Sequence, residues 1–109
     1  MPDSYYGFND LTFVWDEDKN SKNISKHGID FKTAAMVFED DMRLEYPDPM
    51  HSEDEERYIT IGLVHDVLVV SYCDRENKDF GNVDIRLISA RLANKLERNA
   101  YNNNIIGRY

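Results

Sequence analysis

Residues 48–63 read DPMHSEDEERYITIGL: a histidine, four consecutive acids and an arginine run directly into an alternating apolar strand. Arg75, Arg86 and Arg91 follow at the end of one apolar run, within the next, and just beyond it, while Lys26 and His27 lie upstream. These residue types suit phosphodiester chemistry. Metal-free cleavage of RNA needs a base for the 2′-hydroxyl, cations on the phosphorane and an acid for the departing 5′-oxygen. Arginine is the preferred cation, because its planar fork holds two phosphate oxygens. Glu53, Glu56, His51 and His27 are the groups available for proton transfer. If the strands carrying Arg57, Arg75 and Arg86 pair as antiparallel neighbours, their guanidiniums converge on one edge or face. A solvated surface is the competing reading, with Arg57 pairing with Glu53 or Glu56, Arg86 answering Asp84, and Arg91 decorating a helix.

Other chemistries have weaker support. His27, His51, His65 and Cys73 lack paired metal-ligand spacing, and HSEDEE is not an EF-hand loop, so neither a metal nor another cofactor is expected. A lone cysteine ending an apolar strand reads as a small core residue rather than a nucleophile. It also excludes an internal disulfide and fits a reducing, cytoplasmic setting.

The elements that must position these groups fit one domain of 109 residues. No apolar run of about 18 residues suggests a membrane span, and MPDSYYGFND has no signal-peptide character. The net charge of −8 is uneven: residues 1–56 carry 5 Lys and Arg against 15 Asp and Glu, residues 57–109 carry 8 against 6. Global acidity opposes nonspecific nucleic-acid binding, yet the second half retains enough cations for a local phosphate site. The acidic half would also suit a basic protein partner.

Residues 1–10 read as a flexible leader and LTFVW (11–15) as a first strand. Asp16 caps a helix that Gly28 stops, with Lys19, Lys22, Asn23 and Lys26 on one face. Asp30 caps a second helix, FKTAAMVF, whose Phe31, Ala34, Ala35 and Phe38 face a core. Leu44 and Tyr46 suit a short strand before Pro47. RYITIGL, VLVVSYC (67–73) and VDIRLIS (83–89) are clearer strands, joined by a tight link at His65–Asp66 and a longer turn at 76–82. Ser89 is placed to cap a last helix with Leu92, Leu96 and Ala100 as its apolar stripe, before a frayed tail at 102–109. The expected class is α+β: strand, two helices, an antiparallel sheet of three to four strands, helix.

Three stretches together resemble the BrnT family: VWDEDKNSKNISKHGIDFKTAAMVFEDD, DPMHSEDEERYITIGL and VDIRLISARLANKLERNAY. The shared elements are W-D-x-x-K, N-x-x-K-H-G, F-x-x-A-x-x-V-F, H-S-x-x-E-E-R-x-x-x-I-G and I-R-x-I-S-A-R. They run in order across residues 11–101, the span of the expected domain. Asp41 stands where the family often has proline, and the turn ENKDFGNVD is longer than usual.

The resemblance implies a small ribonuclease toxin with a compact RelE-like fold, acting without a metal and slowing growth. It implies neutralisation by a BrnA-like antitoxin with a ribbon-helix-helix region, and operator DNA bound only through that complex. The implied site draws on Lys26, His27, Glu56, Arg57, Arg75 and Arg91, with His51 and Arg86 as neighbours. Arg57, Arg75 and Arg91 would bind phosphate, Glu56 or His51 would serve as base, and His27 or Lys26 as acid or phosphate contact. Two alternatives remain: a catalytically weak interaction subunit of a repressor complex, favoured by the acidic first half, and a metal-dependent hydrolase using His51.

Overall fold

The computed structural model describes residues 3–8, 10–51, 55–77 and 82–106. The chain runs β1 (Asp3–Phe8), β2 (Leu11–Asp16), α1 (Glu17–His27), α2 (Phe31–Ala35), a 3-10 turn (Met36–Glu39), β3 (Leu44–Pro47), a second 3-10 turn (Pro49–His51), β4 (Arg57–Val64), β5 (Asp66–Asn77), β6 (Asn82–Leu92) and α3 (Lys95–Ile106).

Local signals explain most of this. The Asp16 carboxylate accepts the Asp18 amide at 2.8 Å, and Gly28 ends α1 at φ 71°, its N–H donating to the Ile24 carbonyl. At that φ a side chain would be strained, which is why glycine stands there. Asp30 caps α2 through the Thr33 amide. His65 turns β4 into β5 at φ 60°.

The α+β class holds, but the described residues form a mixed sheet of six strands in the order β1-β2-β6-β5-β4-β3, not the expected RelE-like antiparallel sheet of three to four. Every neighbouring pair is antiparallel except β2 and β6, which run parallel. Residues 3–8, read as part of a leader, form an edge strand against β2. The β2–β6 pairing joins residues 13–14 to 85–86, and no local pattern encodes so distant a partner. β5 is interior, as its apolar run suggested, but it is longer than expected, and residues 78–81 of the intervening turn lie outside the described residues.

Other expectations need correction. FKTAAMVF is one α-turn followed by a 3-10 turn, although Phe31, Ala34 and Ala35 are buried as predicted. Asn23 shares a helical face with Lys19, Lys22 and Lys26 by spacing, yet it is buried while the three lysines are exposed. Ser89 caps nothing, since β6 continues to Leu92. Asn94 caps α3 instead: its side chain accepts the Glu97 amide at 2.9 Å, and Glu97 accepts the Asn94 amide at 2.8 Å. This reciprocal box starts the helix five residues later and rotates its apolar face. Tyr101 and Ile105 pack inward, whereas Leu92 and Leu96 are exposed. The helix extends into the expected tail as far as Ile106.

Two clusters divide the interior between the faces of the sheet. One joins Phe13, Trp15, Phe31, Val37, Val70, Tyr72 and Leu87 beneath α2 and the first 3-10 turn. The other joins Ile61, Val69, Ala93 and Tyr101 beneath α3. Gly62 lets the first 3-10 turn approach β4: a Cβ there would sit 2.7 Å from Val37 Cγ1 and 3.1 Å from Arg43 Cβ. Gly62→Ala should therefore lower stability by about 1–3 kcal/mol, the usual cost of overpacking. Thermal unfolding checks this, and an unchanged midpoint would mean that the turn yields freely.

Candidate functional site

The three neighbouring strands β4, β5 and β6 build the site. Their register sets Arg57, Cys73 and Arg86 side by side in one row, and Ile61, Val69 and Arg91 in another. Alternation then places Arg75 on the face that carries Cys73. Arg86 and Arg91 are five residues apart, so regular alternation would put them on opposite faces. A bulge in β6 prevents this: Ser89 pairs with Ser71 and Leu87 with Tyr72, leaving Ile88 as an extra residue. All four arginines thus share the face that α3 covers at its other end.

Arg57 and Arg91 line one cavity of about 270 Å³, together with Asp48, Ser71 and Ser89 over a floor that includes Ile59 and Val69. Carboxylates accompany the cations. Arg57 Nε lies 3.6 Å from Glu55. Arg91 donates two bonds of 2.7 Å to Glu97, the residue that also caps α3. Arg86 donates to both Asp3 oxygens at 3.1 and 3.3 Å, and Arg75 approaches the same carboxylate at 3.7 Å. The Arg86 hydrogen bond holds Asp3 below the usual aspartate range, and the Arg91 bond does the same for Glu97. Both guanidiniums are correspondingly harder to deprotonate.

Cys73 sits between Arg57 and Arg86, but burial, with Glu55 adding to the effect, pushes its thiol up to about 11. It is not a thiolate at neutral pH, as its reading as a core residue implied. Among the described residues, no group of three or more His, Cys, Asp or Glu is placed to hold a metal ion.

The proton-transfer candidates are less well gathered. Glu56 accepts a 2.9 Å bond from Tyr58 Oη, and Tyr58 packs on the opposite, aromatic face of the sheet. Among the described residues, Glu55 is a carboxylate that meets Arg57. The sequence offered a clue, since Glu55 precedes Arg57 by two positions and would share its parity, but the run of four acids concealed it. Lys26 is exposed on the outer side of α1 beside Ser21, Lys22 and Ser25, and half-buried His27 ends the same helix. Both belong to α1 rather than to the arginine face. His51 ends the second 3-10 turn, but its side chain lies outside the described residues, as do Ser52, Glu53 and Asp54. A second cavity, about 390 Å³, opens on the aromatic face by Phe38, Tyr58 and Tyr72, away from the four arginines.

A family model described as "Ribonuclease toxin, BrnT, of type II toxin-antitoxin system" matches residues 15–97. The chain belongs to the BrnT family. A search of curated proteins found no match. The BrnT match takes in α1 through the capping box of α3, and so contains all eight candidate site residues. It leaves out β1, and with it Asp3. No helix among the described residues of this BrnT chain is long and apolar enough to cross a membrane.

Proposed function

We propose that the chain is a toxin that cleaves RNA endonucleolytically without a metal and is held in check by a BrnA-like antitoxin. The observation that carries this reading is the gathering of Arg57, Arg75, Arg86 and Arg91 on one face of three adjacent strands, with Glu55 among them. A phosphodiester laid along that face meets guanidinium forks from several strands, which suits the dianionic phosphorane better than the monoanionic ground state. Glu55 takes the proton of the 2′-hydroxyl as that oxygen attacks phosphorus. The P–O5′ bond breaks, the 5′-oxygen keeps its electron pair and takes a proton from solvent water, and the products carry a 2′,3′-cyclic phosphate and a 5′-hydroxyl. Glu55 replaces Glu56 in this role because Glu56 is turned towards Tyr58.

The antitoxin's ribbon-helix-helix region would carry operator binding, with this chain entering a repressor complex only through it, in the cytoplasm. The acidic composition of residues 1–56 supports docking of a basic antitoxin segment. The direct test is to incubate purified, antitoxin-free chain with RNA in EDTA and analyse the product ends. Cyclic phosphate and 5′-hydroxyl termini are expected. RNA that stays intact at every protein concentration sinks the enzymatic reading and favours the interaction subunit.

A further inference from the structure

Strand β1 does something that the family match does not contain. It lies before residue 15, at the edge of the sheet, and among the described residues it pairs only with β2. Yet its first residue reaches across β2 to the arginine face, where the Asp3 carboxylate takes two guanidinium nitrogens of Arg86 and lies within 3.7 Å of Arg75. Two oxygens on a planar fork, with a second cation alongside, is how a phosphodiester would be held. Asp3 stands where that phosphate would bind.

We propose that β1 is an internal occluding strand: Asp3 mimics a phosphate at the Arg75–Arg86 end of the face, and nucleic acid must displace it. This rests on reading the face as the RNA site. The attachment of β1 suits a releasable segment. None of Asp3–Phe8 is fully buried, and among the described residues one side of the strand has no β partner. Its hold comes from pairing with β2, from the Ser4 hydroxyl donating to Glu17, from Tyr6 and Phe8 packing at the margin of the larger core cluster, and from Lys32 over the Tyr6 ring. Arg75 is more than half exposed, so a backbone phosphate can reach it before Asp3 lets go.

The test uses a 2′-O-methyl oligoribonucleotide, which cannot be cleaved through its 2′-oxygen, with affinity read by fluorescence anisotropy at fixed salt. Asp3→Asn should bind roughly twofold to fivefold more tightly than wild type, the upper part of the range expected for freeing an ion pair near the surface. Asp66→Asn, at the exposed β4–β5 turn, removes the same charge and should change affinity far less. Arg86→Ala should weaken binding, and adding Asp3→Asn to it should give no gain. Equal or weaker binding by Asp3→Asn, or an equal gain from Asp66→Asn, overturns the proposal.

Should Asp3→Asn disturb folding, Ser4→Ala loosens the same strand with every charge kept and should also tighten binding. In wild type, the oligonucleotide should speed amide exchange along β1, and unchanged or slower exchange counts against occlusion. The two readings fail separately. Tighter binding by Asp3→Asn with no cleavage of ordinary RNA sinks the nuclease and leaves occlusion standing. Cleavage by wild type with no gain from Asp3→Asn does the reverse.

Discussion

Arg57→Ala is expected to cut RNA cleavage by roughly 100- to 1,000-fold, the usual loss when one preorganised donor to a developing oxyanion is removed. Arg57 opens β4 with its side chain about one-third exposed, sits in register with Cys73, and contacts Glu55. It therefore holds both ends of the proposed chemistry, as a cation for the phosphorane and as the anchor of the base. Its stem shares the parity of Ile59 and Ile61, which fixes its direction and lowers the entropy lost on engaging phosphate. Arg57→Lys keeps the charge but not the fork, and should recover only part of the rate. Both variants should unfold within about 5 °C of wild type, because the substitution sits at a strand end near the surface. Cleavage of labelled RNA under single-turnover conditions, beside a thermal scan, checks this. An Arg57→Ala protein that cleaves at the wild-type rate removes Arg57 from the mechanism.

The largest effect on stability is expected at Asn23. Its side-chain amide donates to the Ile29 and Ala90 carbonyls at 2.9 Å each, and its oxygen accepts the Ala90 amide at 3.1 Å. β2 pairs with β6 at residues 85–86, and among the described residues no strand pairs with the outer edge of β6 beyond that point. Asn23 imitates the missing strand, offering a donor and an acceptor to Ala90 while also closing the turn after α1. Asn23→Ala leaves one buried amide and two buried carbonyls without these bonds. At about 1–3 kcal/mol for a stranded buried group, with partial relief from water, the net loss should be about 3 kcal/mol. For a chain of this size the midpoint should fall by roughly 12–24 °C. Asn23→Asp keeps the acceptor but sets a charge against two carbonyls, and should do no better. A fall of less than about 4 °C for Asn23→Ala would show that the edge is satisfied in another way.

Asn23 also shows where sequence reading stops. The N-x-x-K-H-G element marked the position, and helical periodicity set it on one face with the lysines, but neither shows that it is buried. Its burial depends on Ala90, 67 residues away, and no window over α1 holds that information. The caps of α1 and α2 were legible because each depends on atoms two to four residues apart. The start of α3 was misread because Ser89 and Asn94 both satisfy the cap pattern. Only β6, by continuing its pairing with β5 to Leu92, removes Ser89 from contention.

For the candidate site, the residue types, the strand assignments and the parity of Arg57 with Ile59 and Ile61 follow from the sequence. It also determined the family, through motifs whose order survives without any coordinates. Tertiary structure alone decided which side chains meet. A bulge at Ile88 brings Arg86 and Arg91 to one face, Glu55 rather than Glu56 turns to Arg57, and Asp3 crosses β2 to reach Arg75 and Arg86. The reason is physical. A motif records spacing along the chain, whereas the face on which a charge emerges depends on register between strands, and one extra residue in a ladder inverts it.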